Sequence, residues 1–560
     1  MIIMTKKTVE KQRILLVEPN YKNKYPPIGL MKISSYFKSK GFYVQFHKGL
    51  LPTNEIKTFD FAFITTMFTF DFNMCIDTIK YYASVLGLEK VYAGGIAVTI
   101  MPEKFSEAIP GIKLLPGRLT NSSVLNFSDN VNIDALELDY DMLLDIPYEY
   151  PMADSYFIHT TRGCPRKCSF CAVKTLEPEF FDCDNIIAQI QAVNRKYGIK
   201  RNLLIMDNNI LYSDNLAKLV EEMCSLGYEK NNNRVTRANP MRWYINSLQT
   251  RINEEHTYKY LLVRIKEILN GLNFKRIRNE DCTLLQNLIT LSESDNESTF
   301  IDALLKDKDY LISILDSYYY HKITRYVDFN QGLDARLFTD EKASLLSRLA
   351  LKPCRIAFDD ISTKKNYLNA LNLCLKHDIL YFSNYLLYNY KDTPVDLWER
   401  LKLNIDFCEA HPNVSLFSFP MKYASIQHTN RNYIGEHWCK KFLRGFNIIL
   451  NVTNGVVARE SDFFVRAYGK TSTEFIEILS MPDEFIRFRD FFDANGLSNK
   501  WRLQYLALSE EEKKLLLQIL SSCNDINEIT STTSSNLKIN TILSFYKIRK
   551  KDIEKQNKFL

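Results

Sequence analysis

Short continuous apolar runs, each closed by a polar or breaking residue and followed by a helical period, most constrain what this chain can fold into. The first is Arg13-Ile14-Leu15-Leu16-Val17-Glu18-Pro19. A run apolar on both faces and stopped by proline suits a buried parallel strand. Pro26-Pro27-Ile28-Gly29 then opens an amphipathic helix through Lys38, which Gly41 ends. Further strands are predicted over 42–47, 61–66 and 90–95, with a helical stretch over 73–86. The alternation predicts a doubly wound, Rossmann-like α/β domain over residues 1–125.

A second strand-like run, 155–160, leads into Thr161-Arg162-Gly163-Cys164-Pro165-Arg166-Lys167-Cys168-Ser169-Phe170-Cys171. Three cysteines at spacings of four and three fit one tight loop and one inorganic centre. Four-iron clusters normally take four thiolates, so three leave one iron open, as catalytic metal sites require. A structural zinc knuckle is the alternative, and it needs a fourth ligand at short spacing. His159 and Cys183 are the nearest candidates, and the strand would hold His159 short of the loop. The remaining cysteines are mostly isolated and read as free thiols in apolar surroundings.

Residues 1–13 are polar with no signal-peptide pattern, and the apolar stretch 59–76 is broken by Asp60 and Asp71. A reducing cytoplasm with no membrane span is the expectation. The net charge of +6, spread over 560 residues, does not by itself argue for nucleic acid.

Cys-x3-Cys-x2-Cys, with Phe170 before the third cysteine and a strand ending Thr-Arg-Gly before the first, resembles the radical S-adenosylmethionine (SAM) enzymes. The resemblance implies a 4Fe-4S cluster on Cys164, Cys168 and Cys171, with the amino and carboxylate groups of SAM on the open iron. It implies reductive cleavage of SAM to a 5′-deoxyadenosyl radical and an external reductant such as flavodoxin or ferredoxin. It also implies a partial (β/α)6 barrel, placed at 155–228 and 323–425 with a helical insertion at 229–322 between. Phe170 joins the cofactor-binding set. So do Asp207, Asn208 and Asn209, which close the strand predicted over 202–206 and would meet the SAM amino group. Asx residues in a turn that caps the next helix are the structural alternative.

The N-terminal layout resembles the cobalamin-binding domain ahead of many radical SAM cores. The Pro-Pro-Ile-Gly-Leu-Met opening, Thr65-Thr66-Met67 and Gly94-Gly95 carry that likeness. The family's Asp-x-His-x-x-Gly loop is altered, with Gln45 for Asp and Leu50 for Gly, so His47 reads as an ordinary strand-end histidine. Either cobalamin binds here without a protein base, or the domain keeps the fold without the cofactor.

Residues 126–154 read as an acidic linker, and a helix is predicted over 184–197. The insertion is basic at first: residues 229–278 carry eleven Lys/Arg against four Glu, interleaved with Trp243, Tyr244, Tyr258 and Tyr260. Base stacking with phosphate contact is one reading. A helical cover over the active site, hinged at Asn231 and Lys322, is the favoured one, because the second half is more acidic. After it, the run 326–336 ends in Gln331, Asp334 and Arg336, candidates for SAM ribose and carboxylate contacts. Strands are expected over 355–360, 379–386 and 414–419, the last stopped by Pro420, before a helical C-terminal region, 426–560. Segment 388–394 resembles the family's Gly-x-Pro-Gly-Glu-Thr turn with its glycines replaced. Three functions stay open: a hydrogen-abstracting radical enzyme, a cobalamin-dependent radical methyltransferase, and a non-enzymatic metal or nucleic-acid binder.

Overall fold

The computed structural model describes residues 11–183, 186–294, 296–523 and 526–558. The expected helix start at Asp184 lies outside them, as do residues 1–10 of the N-terminal expectation. Two compact units divide the chain. The first runs to Gln331 and takes in Arg348–Ala350 and Ser425–Arg431; the second holds Gly332–Ser347, Leu351–Ala424 and the residues from Asn432 on.

The first unit begins with β1 (Arg13–Glu18), β2 (Tyr43–Lys48), β3 (Phe61–Thr66), β4 (Val91–Gly95) and β5 (Lys113–Leu115). They form one parallel sheet in the order β2-β1-β3-β4-β5. Leu15, Val17, Ala62, Ile64 and Val91 share a core with Ile76, Ile79 and Tyr82 of the helix Phe72–Leu86. On the other face Phe63 meets Phe37 of the helix Ile28–Ser39 at 5.2 Å and stacks on Tyr92 at 4.8 Å. Helices on both faces explain why the strands carry no polar alternation.

Next come β6 (Ser155–Ile158), the hairpin β7 (Thr161–Arg162) and β8 (Phe181–Asp182), and β9 (Asn202–Ile205). The ribbon β10 (Arg234–Arg237) and β11 (His321–Thr324) precedes β12 (Tyr326–Phe329). Strands β12, β9 and β6 make a parallel three-stranded sheet, with Tyr156, Leu203 and Val327 buried in it. The second unit contributes β13 (Cys354–Arg355), β14 (Tyr381–Tyr388) and β15 (Ser415–Lys422), again parallel, with the helices Lys364–Lys376 and Pro394–Ala410 as crossovers. The mixed α/β architecture with repeated parallel strands is as expected. Pro420 does not stop β15, however. It sits opposite Leu386 in an edge strand, whose outward side asks no N–H of it for the sheet. The C-terminal region is helical, and among the described residues no helix is long and apolar enough to cross a membrane.

The segment read as a linker is heavily wired into the first unit. Asp139 accepts from Ser34 Oγ at 2.6 Å and Tyr197 Oη at 2.9 Å, and pairs with Lys38 at 2.8 Å. Asp145 accepts from the Phe46 amide at 2.8 Å and from Arg251 Nη1 at 2.6 Å. Arg251 also donates to the Asp141 carboxylate at 3.0 Å and to the Asp141 carbonyl at 2.7 Å. One step along, His256 Nε2 reaches the Val44 carbonyl of edge strand β2 at 2.7 Å, and its ring stacks on Tyr43 at 4.6 Å.

These contacts fasten the insertion within the first unit. The insertion has its own apolar core (Ile245, Leu248, Leu261, Leu285, Phe300, Leu311) and is fastened to the linker and to β2. Its two ends are joined rather than hinged: β10 pairs antiparallel with β11, Lys322 standing opposite Thr236. Beyond the ribbon, Arg325 donates to the Leu226 carbonyl at 2.7 Å and Tyr228 Oη at 2.6 Å.

Candidate metal centre

The cysteine loop leaves the carboxyl end of β6 and is held at its root by two carboxylates. Asp207, just past β9, accepts from the Thr160 amide at 2.7 Å, from Thr160 Oγ1, and from Thr161 Oγ1 at 3.0 Å. Burial pushes its carboxyl up to about 6 despite these donors. Glu177, downstream of the loop, accepts from Arg162 Nη1 at 2.7 Å, from the Gly163 amide at 2.8 Å, and from Asn208 Nδ2 at 2.8 Å. Arg162 turns its other nitrogen to Asp134, with contacts of 2.9 and 2.7 Å, and Lys32 meets Asp134 at 2.8 Å. Burial opposes the Asp134 charge, but Lys32 and Arg162 hold its carboxyl below the ordinary range.

Gly163 turns the chain at φ 71°, and a Cβ there would lie 2.0 Å from the Glu179 carbonyl oxygen. Only glycine fits both the left-handed backbone and the contact. Gly163→Ala is expected to cost about 1–3 kcal/mol in local strain and to lower the iron retained after reconstitution. Iron and sulfide analysis reads it, and unchanged loading would show that the loop does not depend on this turn.

Cys164, Cys168 and Cys171 are half-buried and outside any disulfide, and Phe170 is half-buried as well. Among the described residues no three His, Cys, Asp or Glu side chains stand close enough to hold a single ion. The donor chemistry nevertheless fits an iron–sulfur cluster, which spaces its thiolates more widely than one ion does. Asn209 adds a second observation: it is buried, its Nδ2 reaches Cys164 Sγ at 3.5 Å, and its Oδ1 is buried with no hydrogen-bond partner. Such an orphaned acceptor marks a place where a bound group is owed.

The other potential ligands point elsewhere. The Cys183 amide donates to the Thr160 carbonyl at 2.7 Å across the hairpin, and burial pushes its thiol up to about 11. Burial, helped by Arg162 and Lys32, depresses His159 well below its usual value, so it stays neutral.

In the N-terminal sheet, Thr66 Oγ1 donates to the Gly94 carbonyl at 2.9 Å and accepts from the Val98 amide at 3.1 Å. A Cβ on Gly95 (φ 102°) would lie 2.4 Å from the Thr66 carbonyl oxygen, so this glycine already serves the β3–β4 approach. Thr65 lies beside Thr66 at the end of β3. Gln331 is exposed at the end of the first unit.

Asp334 and Arg336 belong to the second unit, where they clasp each other: Arg336 Nε donates to Asp334 Oδ1 at 2.7 Å. Below them Arg400, fully buried, donates to the carbonyls of Phe358 (3.1 Å), Asp359 (2.9 Å) and Leu387 (2.8 Å), and to Asp392 Oδ2 at 3.0 Å. Burial pushes the Asp359 carboxyl up to about 6. In the turn 388–394 Asn389 stands at φ 66°, and its side-chain amide donates to the Tyr423 carbonyl at 3.2 Å and the Tyr433 carbonyl at 3.0 Å.

Glu177, Asp134 and Arg400 went unnoticed in the sequence. For Arg400 a signal existed: it lies between Leu397 and Leu401 on the buried stripe of its helix.

No protein-family model matches the chain, and no curated protein matches it. Among solved structures the chain is similar to the radical S-adenosylmethionine methyltransferase TsrM from Kitasatospora setae, with cobalamin and a 4Fe-4S cluster bound. The identity is 13%, over 74% of this chain and 75% of that one, with a TM-score of 0.39. A second TsrM structure, with tryptophan substrate and the SAM analogue aza-SAM bound, is similar at 12% identity over 73% of each chain, with a TM-score of 0.39.

Proposed function

We propose that this chain is a radical SAM enzyme whose cluster ligands are Cys164, Cys168 and Cys171. The observation that carries the reading is the loop itself. Three cysteines outside any disulfide follow the first strand of a parallel set, on a root clamped by Glu177 and Asp207, with an amide N–H on the first sulfur. A bound 4Fe-4S cluster would supply the electron that cleaves SAM. Glu177 and Asp207 fix the loop's direction, and the Asn209 N–H favours the more negative, reduced state of the sulfur it touches. Asp334 and Arg336 remain candidates for SAM.

Anaerobic reconstitution with iron and sulfide, then SAM and a strong reductant, tests the reading, and 5′-deoxyadenosine is the expected product. A loaded cluster that neither binds nor cleaves SAM would sink it. Asn209→Leu is expected to keep the cluster but lower its midpoint potential, followed by electron paramagnetic resonance during a redox titration. An unchanged midpoint would remove Asn209 from the site.

A second reading, cobalamin-dependent methyl transfer, is favoured by the carboxyl end of the N-terminal sheet. Leu50, Phe68, Met74 and Ile96 are large apolar side chains left exposed near the ends of β2, β3 and β4. Ligands of such sheets sit at these ends, beside the order reversal at β1 and β3. The helix Ile96–Ile100 packs on Val173–Leu176, just after Cys171, and Tyr25 Oη donates to Asn330 Oδ1 at 2.8 Å beyond β12. Cobalamin absorbance on the purified chain, with S-adenosylhomocysteine formed alongside deoxyadenosine, would support this reading. Deoxyadenosine alone, with no cobalamin taken up, would leave the first.

A further inference from the structure

The C-terminal helices line an open cavity of about 450 Å³ between Lys440–Val452, Ser461–Tyr468, Asp483–Arg487, Arg489–Ala494 and the start of Lys550–Lys558. That volume is within the range of pockets for small organic ligands, roughly 300–1,000 Å³. All of its lining belongs to the second unit. Buried Ile449 and Ile486 contribute aliphatic surface, with Ala467 and the rings of Phe463, Phe488 and Phe491 around them.

Cations outnumber acids in this lining: Arg466, Arg487, Arg489 and Lys550 stand against Asp490 alone. Arg489 spends a guanidinium N–H on the Arg466 carbonyl. The Lys550 ammonium lies over Phe488 at 4.9 Å and Phe491 at 5.3 Å. Neither Arg466 nor Arg487 forms an ion pair with a carboxylate among the described residues. Guanidinium groups beside an apolar hollow ask for a ligand whose anion they can grip in paired hydrogen bonds while its body leaves water.

We propose that this cavity binds a single-chain apolar anion, an alkyl group bearing a phosphate or carboxylate head. Its chain lies against Ile449, Ile486 and Ala467, and its head is held by Arg466 and Arg487. A flexible chain suits the hollow better than a nucleobase, because the ammonium of Lys550 already covers the faces of two of the three phenylalanines.

Calorimetric titration of the full chain with decyl phosphate, decanoate, decanol and inorganic phosphate tests this. One or both decyl anions are expected to bind, and decanol and inorganic phosphate about tenfold or more weakly. Which anion binds more tightly separates a phosphate from a carboxylate head. Arg466→Ala with Arg487→Ala should weaken the anion about ten- to a hundredfold, as loss of charged hydrogen bonds does. Ala467→Trp should fill the hollow and abolish binding at an unchanged unfolding temperature; if it does not fold, Val452→Trp at the exposed rim does the same. The proposal is overturned if decanol or inorganic phosphate binds as tightly as the decyl anions. It is equally overturned if the tryptophan variant still binds, or if no decyl anion binds at about millimolar concentration.

Discussion

Replacing Cys164, Cys168 or Cys171 by alanine is expected to abolish the reconstituted cluster and SAM cleavage together. A cubane held by three thiolates has no spare protein ligand to fall back on. Cys183→Ala should keep both, although Cys183 is the nearest further cysteine along the chain. Its backbone is tied to Thr160, and burial holds its thiol protonated up to about 11. A thiol with that preference competes poorly for iron, since the thiolate is the ligand. Iron, sulfide and ultraviolet–visible spectra of the four variants, purified without oxygen, decide the matter. Cluster loss in Cys183→Ala would mean a fourth protein ligand, and the open-iron argument would fail with it.

Arg251→Leu is expected to release the insertion from the rest of the first unit. The substitution leaves Asp141 and Asp145 facing an aliphatic side chain, and breaking a buried ion pair from one side costs about 3–5 kcal/mol. Burial opposes the Asp141 charge, but Arg251 and Lys38 hold its carboxyl well below the ordinary range. A depressed carboxylate stabilises the fold above its unfolded pKa, and that stability is lost as pH falls through the folded value. The parent chain should therefore hold this contribution in full at neutral pH and lose it progressively as pH falls from the ordinary carboxylate range into stronger acid. The variant should lack it at neutral pH. Hydrogen exchange over residues 241–315 measures the release, and protection equal to the parent's would show that the apolar contacts suffice. The same variant should leave cluster loading intact, because none of the loop's clamps involves Arg251.

What could be read in the sequence follows from how each element announces itself. β1 and β3 are apolar on both faces over six residues each, and a run of that length is visible without a partner. β5, at three residues, is too short to show a period, and it went unpredicted. The motif cysteines and the glycine before them were legible because their spacing is itself the signal. Glu177 and Asp134 were not, because a carboxylate's value lies in what folds against it. Composition shows only that 126–154 is acidic, whereas in the structure Asp139 is buried, Asp134 and Asp141 are half-buried, and the three pair with Lys38, Arg162 and Arg251. Asp334 and Arg336 stood out as unexplained polar groups, and the structure shows them satisfying one another.

The pairing of Asp139 and Asp145 has a consequence for modularity. A fragment of residues 11–125 would carry a complete five-stranded sheet, yet Ser34, Lys38 and the Phe46 amide would lose their carboxylates. A fragment starting at 155 would leave Tyr197 and Arg251 without theirs. The five-stranded sheet, the cysteine loop's sheet and the insertion therefore do not assort as separate modules. Recombination or truncation has to carry residues 126–154 along with both neighbours, and the acids in that segment restrict which partners this chain could exchange with a relative.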